Sequence, residues 1–309
     1  MKITSILSLA TATGLLAIAT ISPAEAKDRN FAPPTNSTKI KTKANFYGSS
    51  GKMALCPSGD CEKGQLVTLS LGRLEEIDPA TTKAVQSAKN FAALNASWDD
   101  FAAVTINGVS ASTTSFVTVV PVKGTSEDFE AKFNLTATIY SANGTALNGN
   151  QVVPVPAGAL KFTITITDWK FADKKNLLNF GVMLSARGKD AKERGKPTKK
   201  AKTGGNSTQI DRLDMGEGMF MDTPTIAVLD GVEQNITSSI EGDAKKIELV
   251  WSFPSFETSL FYDPVTGSED ATATGGTSDT TDSTTSGASS LFTVFSGAAV
   301  AALTALLAF

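Results

Sequence analysis

The chain has 309 residues, 28 Lys and Arg against 31 Asp and Glu, a net charge of −3, two cysteines and no histidine. The lack of histidine excludes Ser-His-Asp and Cys-His catalysis, His-ligated zinc, iron or copper, and the usual proton shuttle near neutral pH. A nearly balanced charge gives no general attraction for nucleic acid or anionic lipid, so charge-based binding must come from local clusters.

Lys2, the apolar stretch Ile6–Ile21 and the small-residue motif Ala24-Glu25-Ala26 read as a secretory signal over residues 1–26, removed before Lys27. Residues 27–267 are long enough for a large β-domain with its own core. Its first part, Lys27–Lys43, is polar with Pro33 and Pro34 and predicts a loosely held arm. Strands are expected at Lys43–Tyr47, Lys52–Leu55 and Gln65–Leu71, where Val67, Leu69 and Leu71 alternate with Thr68 and Ser70. Cys56 and Cys61 flank Pro57-Ser58-Gly59-Asp60, a turn sequence, and are expected to pair in an oxidising compartment. A zinc site built on the two is the alternative, and the chain has no His to complete it. Asp78 as cap, Pro79 in the first turn, and Ala84, Val85, Ala88, Phe91 and Ala92 on one face predict a helix.

From Thr113 onward the alternation has period two. Phe129, Ala131, Phe133, Leu135, Ala137 and Ile139 oppose Glu130, Lys132, Asn134, Thr136 and Thr138. Asn143-Gly144 and Asn148-Gly149 then supply positive-φ residues for a hairpin between Ser141 and Asn150. Two further strands carry Leu160, Phe162, Ile164 and Ile166, then Leu178, Phe180, Val182, Leu184 and Ala186 beyond a turn at Ala172–Asn176. Another holds Ile247, Leu249, Trp251 and Phe253 and ends at Pro254. Alternation with one polar face marks antiparallel sheets with a solvated side. The expectation is an all-β fold, a jelly-roll-like antiparallel β-sandwich of roughly nine to twelve strands with one short peripheral helix.

The stretches Phe162–Phe171 (FTITITDWKF), Leu178–Gly188 (LNFGVMLSARG) and Phe253–Gly267 (FPSFETSLFYDPVTG) resemble the non-acidic extracellular domain of coral acidic skeletal organic matrix proteins. The resemblance spans about residues 100–267 and includes a Tyr-Asp-Pro turn at Tyr262–Pro264. It implies a secreted scaffold in an extracellular or mineral-associated matrix. The chain lacks that family's Asp-rich runs, so a direct calcium carbonate role is not carried over.

Six Asn-x-Ser/Thr acceptors occur, at Asn36, Asn95, Asn134, Asn143, Asn206 and Asn235, and glycans are expected on those that stand in water. The segment 187–202 carries Arg187, Lys189, Lys192, Arg194, Lys196, Lys199, Lys200 and Lys202 against Asp190 and Glu193. It is either a solvated loop or a salt-sensitive site for an anionic partner. Nucleic acid is not expected there, because no aromatic residues are interleaved. Asp211, Asp214, Glu217 and Asp222, with Gly216 and Gly218, have oxygen ligands suited to Ca²⁺ but not EF-hand spacing, and an acidic turn is the bland reading. No other cofactor is expected. Trp98-Asp99-Asp100 and Asp168-Trp169 are candidates for a sugar-stacking platform or for core packing. Asp168 and Glu248 are the carboxylates on polar strand parities that a glycoside hydrolase would use.

Residues 268–290 form a Ser/Thr/Gly-rich stalk, and residues 291–309 an uncharged apolar run with no Lys or Arg beyond it. Small residues, a polar spacer and a hydrophobic tail are the order of a signal for glycosylphosphatidylinositol (GPI) attachment, here at Ser278, with Gly276 and Ser283 as alternatives. A membrane-spanning helix is the other reading of the tail and lacks its usual basic flank. The functional expectation is a non-catalytic, GPI-anchored surface glycoprotein acting in adhesion, matrix or cell-wall attachment, or ligand binding. Its partners would be extracellular polysaccharide, matrix or an anionic mineral surface, with membrane contact through lipid. The alternatives are a structural matrix or biomineral-associated protein and a carboxylate-dependent glycoside hydrolase.

Overall fold

The computed structural model describes residues 26–33, 40–94, 97–148, 151–188, 198–203, 209–243 and 246–269. These hold 21 strands. In chain order they are β1 (Arg29–Phe31), β2 (Lys43–Tyr47), β3 (Lys52–Cys56), β4 (Leu66–Asp78), β5 (Lys83–Ala88), β6 (Ala102–Ile106) and β7 (Val109–Lys123). Then come β8 (Phe129–Tyr140), β9 (Gly144–Asn148), β10 (Gln151–Val155), β11 (Leu160–Thr167), β12 (Leu177–Arg187), β13 (Thr198–Thr203) and β14 (Gln209–Asp214). The last are β15 (Met219–Pro224), β16 (Ile226–Leu229), β17 (Val232–Asn235), β18 (Thr237–Asp243), β19 (Lys246–Pro254), β20 (Ser259–Tyr262) and β21 (Val265–Ser268).

Every pairing among the described strands is antiparallel, and the fold is the expected all-β sandwich. One sheet has the order β1-β2-β3-β4-β12-β19-β18. The other begins β6-β7-β8-β11. The far edge of β11 is then shared: β20 pairs with one end and leads to β16 and β17, while β21 pairs with the other and leads to β15, β14 and β13. At one corner β5 pairs with both β4 and β7 and joins the two sheets.

The inner faces meet through aromatic rings. Phe133 on β8 stacks on Phe180 of β12, and Trp251 of β19 lies against Phe180 at 5.7 Å and Tyr262 of β20 at 5.5 Å. All four side chains are fully buried, and burying each large ring contributes about 2–3 kcal/mol. A smaller apolar cluster lies on the outer side of the second sheet. There the β9–β10 hairpin places Ala146, Val153 and Val155 with Tyr140, Ala159, Phe220 and Val265.

Several expectations need correction. The lead-in arm is partly sheet, since β1 pairs with β2 and Phe31 and Ile40 are buried. The strand count exceeds roughly twelve because many of the added strands are too short for alternation to register, such as β16 and β17 with four residues each, or are buried along their whole length, as β15 is. No α-helix covers 78–92. Asp78 does cap a turn, accepting from Ala80 N at 2.9 Å and Thr81 Oγ1 at 2.8 Å, but the chain then reverses at Thr82 (φ 56°) into β5. The helix that remains is a single 3₁₀ turn, Phe91–Ala93. The predicted hairpin exists as β9–β10, with residues 149–150 of its turn outside the described set. Gly144 opens β9 rather than making a turn, and a Cβ there would sit 3.1 Å from the Tyr140 ring.

Candidate functional site

A cleft of about 530 Å³ opens between two loops, one linking β11 to β12 (168–176) and one linking β19 to β20 (255–258). Its shape follows from two carboxylates. Glu76, fully buried near the end of β4, accepts hydrogen bonds from Ala172 N at 3.0 Å and from the side chains of Asn176 and Gln86. Gln86, buried on β5, also donates to the Lys170 carbonyl. The first loop is thereby tied to both β4 and β5.

Asp230 does the same for the second loop. It sits at positive φ (52°) with Gly231 (79°) in the two-residue turn joining β16 to β17, a hairpin geometry suited to Asp-Gly. It accepts from Glu257 N at 2.7 Å, from Thr258 N and Oγ1 at 2.7 Å each, and from Ser259 N at 2.9 Å. Desolvation alone would raise its pKa, but these donors together hold the carboxyl well below the usual carboxylate range. The loops are also joined to each other, by Ser255 Oγ donating to Lys174 O and by a Lys174–Glu257 ion pair, both at 2.6 Å.

The floor between these walls is aromatic. Trp169 and Phe256 are buried, Phe171 is half-buried, and Phe171 meets Phe256 edge to face at 5.3 Å. The Trp169 indole N–H has no hydrogen-bond partner among the described residues. Lys170 and Lys174 are exposed at the rim. The arrangement offers the half-buried Phe171 ring and two exposed lysines, Lys170 paired with Glu127 at 3.5 Å and Lys174 with Glu257 at 2.6 Å, above buried rings and a buried indole N–H.

The residues singled out from sequence fall elsewhere. Cys56 and Cys61 form the expected disulfide, with Cα atoms 5.1 Å apart. Arg187 donates to Cys61 O at 2.6 Å, which ties the start of the basic segment to that loop. Lys189, Lys192, Arg194 and Lys196 lie outside the described residues, and of Lys199, Lys200 and Lys202 only the β13 backbone is described.

The acidic residues do not converge on a common centre. Asp222, fully buried, is held by Arg212 through Nε at 2.6 Å and Nη2 at 2.7 Å, and that guanidinium lies 4.2 Å from the centre of the Phe220 ring. Asp214 accepts from Gly216 N at 3.0 Å, the Asp211 carboxylate lies 3.4 Å from Ser238 Oγ, and Glu217 is exposed. Among the described residues no group of three or more His, Cys, Asp or Glu is placed to hold a metal ion.

Trp98 is a core residue, 5.0 Å from Phe46 and 5.2 Å from Phe116. Neither it nor Trp169 is an exposed stacking platform. Asp168 pairs with Lys132 at 3.2 Å, whereas Glu248 lies on β19 beside Arg73 at 3.6 Å, so the two are engaged separately. Asn235 on β17 and Asn143 are exposed and Asn134 is half-exposed, while Asn36, Asn95, Asn206 and Ser278 lie outside the described residues. Residues 1–25 and 270–309, which contain almost all of the expected signal, stalk and tail, lie outside them too.

Sequence reading missed Glu76 and Asp230. The Asp230-Gly231 pair carried a usable hairpin signal. Glu76 was hidden by a change of phase within β4. Val67, Leu69 and Leu71 face inward, then a bulge at Gly72 moves the inward positions to Leu74 and Glu76. No protein-family model matches the chain, and no curated protein is similar to it.

Proposed function

We propose that the chain is a glycosylated protein of the outer cell surface, tethered by a GPI lipid, whose sandwich binds acidic extracellular polysaccharide without acting on it chemically. The observation that carries this reading is the construction of the cleft. Glu76 and Asp230 direct their oxygens at backbone and side-chain donors and so fix the walls, leaving an aromatic floor beneath Lys170 and Lys174. A sugar face packs on the half-buried Phe171 ring, and sulfate or carboxylate groups take the place of Glu127 and Glu257 at the two lysines. An outer-surface setting is supported by the paired cysteines, by the exposed acceptor Asn235, and by the polar and then apolar composition of residues 268–309.

The test is a panel of neutral and acidic polysaccharides presented to the secreted protein at two salt concentrations. Acidic polysaccharides are expected to bind more tightly at low salt, and the double variant Lys170→Ala, Lys174→Ala to bind at least about tenfold more weakly. Retention that survives the double variant and disappears when residues 187–202 are neutralised would overturn the cleft as the site.

A further inference from the structure

A second buried polar group lies apart from the cleft, on the side of the second sheet that carries the β9–β10 hairpin. Lys161 of β11 places its Nζ 2.6 Å from Oδ2 of Asp263, and the two side chains are 14% and 1% exposed. The backbone fixes this meeting. Lys161 pairs in register with Thr138 of β8 on one side and Val265 of β21 on the other, and Asp263 lies in the two-residue corner between β20 and β21.

Two nearby atoms are left unmet. Asp263 Oδ1 and Tyr140 Oη are both buried without a hydrogen-bond partner among the described residues. Burial, with a smaller contribution from the Asp263 charge, pushes the Tyr140 pKa up to about 12, so the phenol keeps its proton. Burial also pushes the Asp263 pKa upward, against the pull of Lys161 and Thr163. The next residue is Pro264, which has no backbone N–H. Ring closure onto the following amide, the usual side reaction of an aspartyl group, is therefore blocked. The amine of Lys161 is left as the nucleophile in contact.

We propose that Lys161 and Asp263 condense into an intramolecular isopeptide bond that cross-links β11 to the β20–β21 corner. A proton first passes from the ammonium to the carboxylate along their hydrogen bond, giving amine and carboxylic acid. The nitrogen lone pair attacks Cγ, the C–N bond forms and the C–OH bond breaks. The hydroxyl leaves with a proton from nitrogen as one molecule of water. No electron is gained or lost and no second reactant is needed. Tyr140 supplies a protonated donor for the negative charge that develops on the carboxyl oxygen. In open water such a condensation is disfavoured, but two groups held in contact, Asp263 buried and Lys161 only 14% exposed, have an effective concentration on the order of 10⁵ M or more. The bond would brace the last two strands before residues 270–309, the part of the chain through which a tether would pull. The inference does not depend on what the cleft binds.

The experiment is peptide mapping of the full secreted chain after reduction and deglycosylation. The expected result is no tryptic cleavage after Lys161 and a branched peptide joining the Lys161 and Asp263 segments, lighter than their sum by one water. Lys161→Arg, which keeps the charge pair but cannot form this amide, is expected to regain the mass of that water and run as linear peptides. Cleavage after Lys161 in the wild-type chain, with Lys161 and Asp263 recovered unmodified in separate peptides, would overturn the proposal.

Discussion

Burying a carboxylate is costly unless donors meet its oxygens, and at Glu76 they come from Ala172, Asn176 and Gln86. Replacing it with alanine leaves those donors facing an apolar void. Glu76→Ala is therefore expected to lose about 3 kcal/mol of unfolding free energy, read as a lower urea midpoint at unchanged slope. Glu76→Gln is expected to lose less, because one oxygen still accepts while its new amide group faces donors. A loss of less than about 0.5 kcal/mol in the alanine variant would remove Glu76 as the anchor of the first loop. The same residue marks where sequence reading ran out. The helix expected at 78–92 rested on Ala84, Val85 and Ala88, yet the residue of β5 that faces inward is Gln86, drawn there by Glu76. A buried polar pair outweighed an apolar periodicity, and apolar patterns carry no trace of such a pair.

Among the elements, the long strands were legible because each has one face in the core. On β11 the buried positions are Leu160, Phe162, Ile164 and Ile166 and the half-exposed ones Lys161, Thr163, Thr165 and Thr167, as the alternation predicts. On β4 the signal stopped at Leu71, because the bulge at Gly72 changes which parity faces inward. Other strands were missed for different reasons: on β17, Gln234 and Asn235 meet solvent and leave no apolar face, whereas β15 is buried at all six positions and so shows no alternation. The cleft inherits this division, its aromatic floor being visible as residue types and its loops invisible as a site. The second loop also titrates. Asp230 has a folded-state pKa below the unfolded value of about 3.9, so its stabilisation is complete above that value and is lost as pH falls through the folded one. The melting temperature of the wild type is expected to fall below about pH 4. Asp60, Asp78 and Asp128 are shifted in the same direction, so the difference between variant and wild type is the measure. Asp230→Ala is expected to fall less steeply over that range, and equal slopes would show that Asp230 is not ionically anchored.

On the scale of the whole molecule, the sequence places a sandwich domain between two terminal segments of distinct composition. The all-β class and the disulfide could be read directly, the first from period-two alternation and the second from two cysteines flanking a turn sequence. Charge pattern alone was less informative: it grouped Asp222 with Asp211, Asp214 and Glu217 but gave no sign of its buried ion pair with Arg212. The cleft itself depends on loops brought together by residues far apart in sequence, such as Glu76 with Ala172 and Asp230 with Thr258. The central claim is that this domain is held at the outer cell surface by lipid. It is tested most directly by expressing the full chain in eukaryotic cells and treating them with phosphatidylinositol-specific phospholipase C. The account predicts release of a glycosylated protein that lacks residues 291–309. Protein that stays on the cells after treatment, or released protein that still contains Phe309, would contradict it.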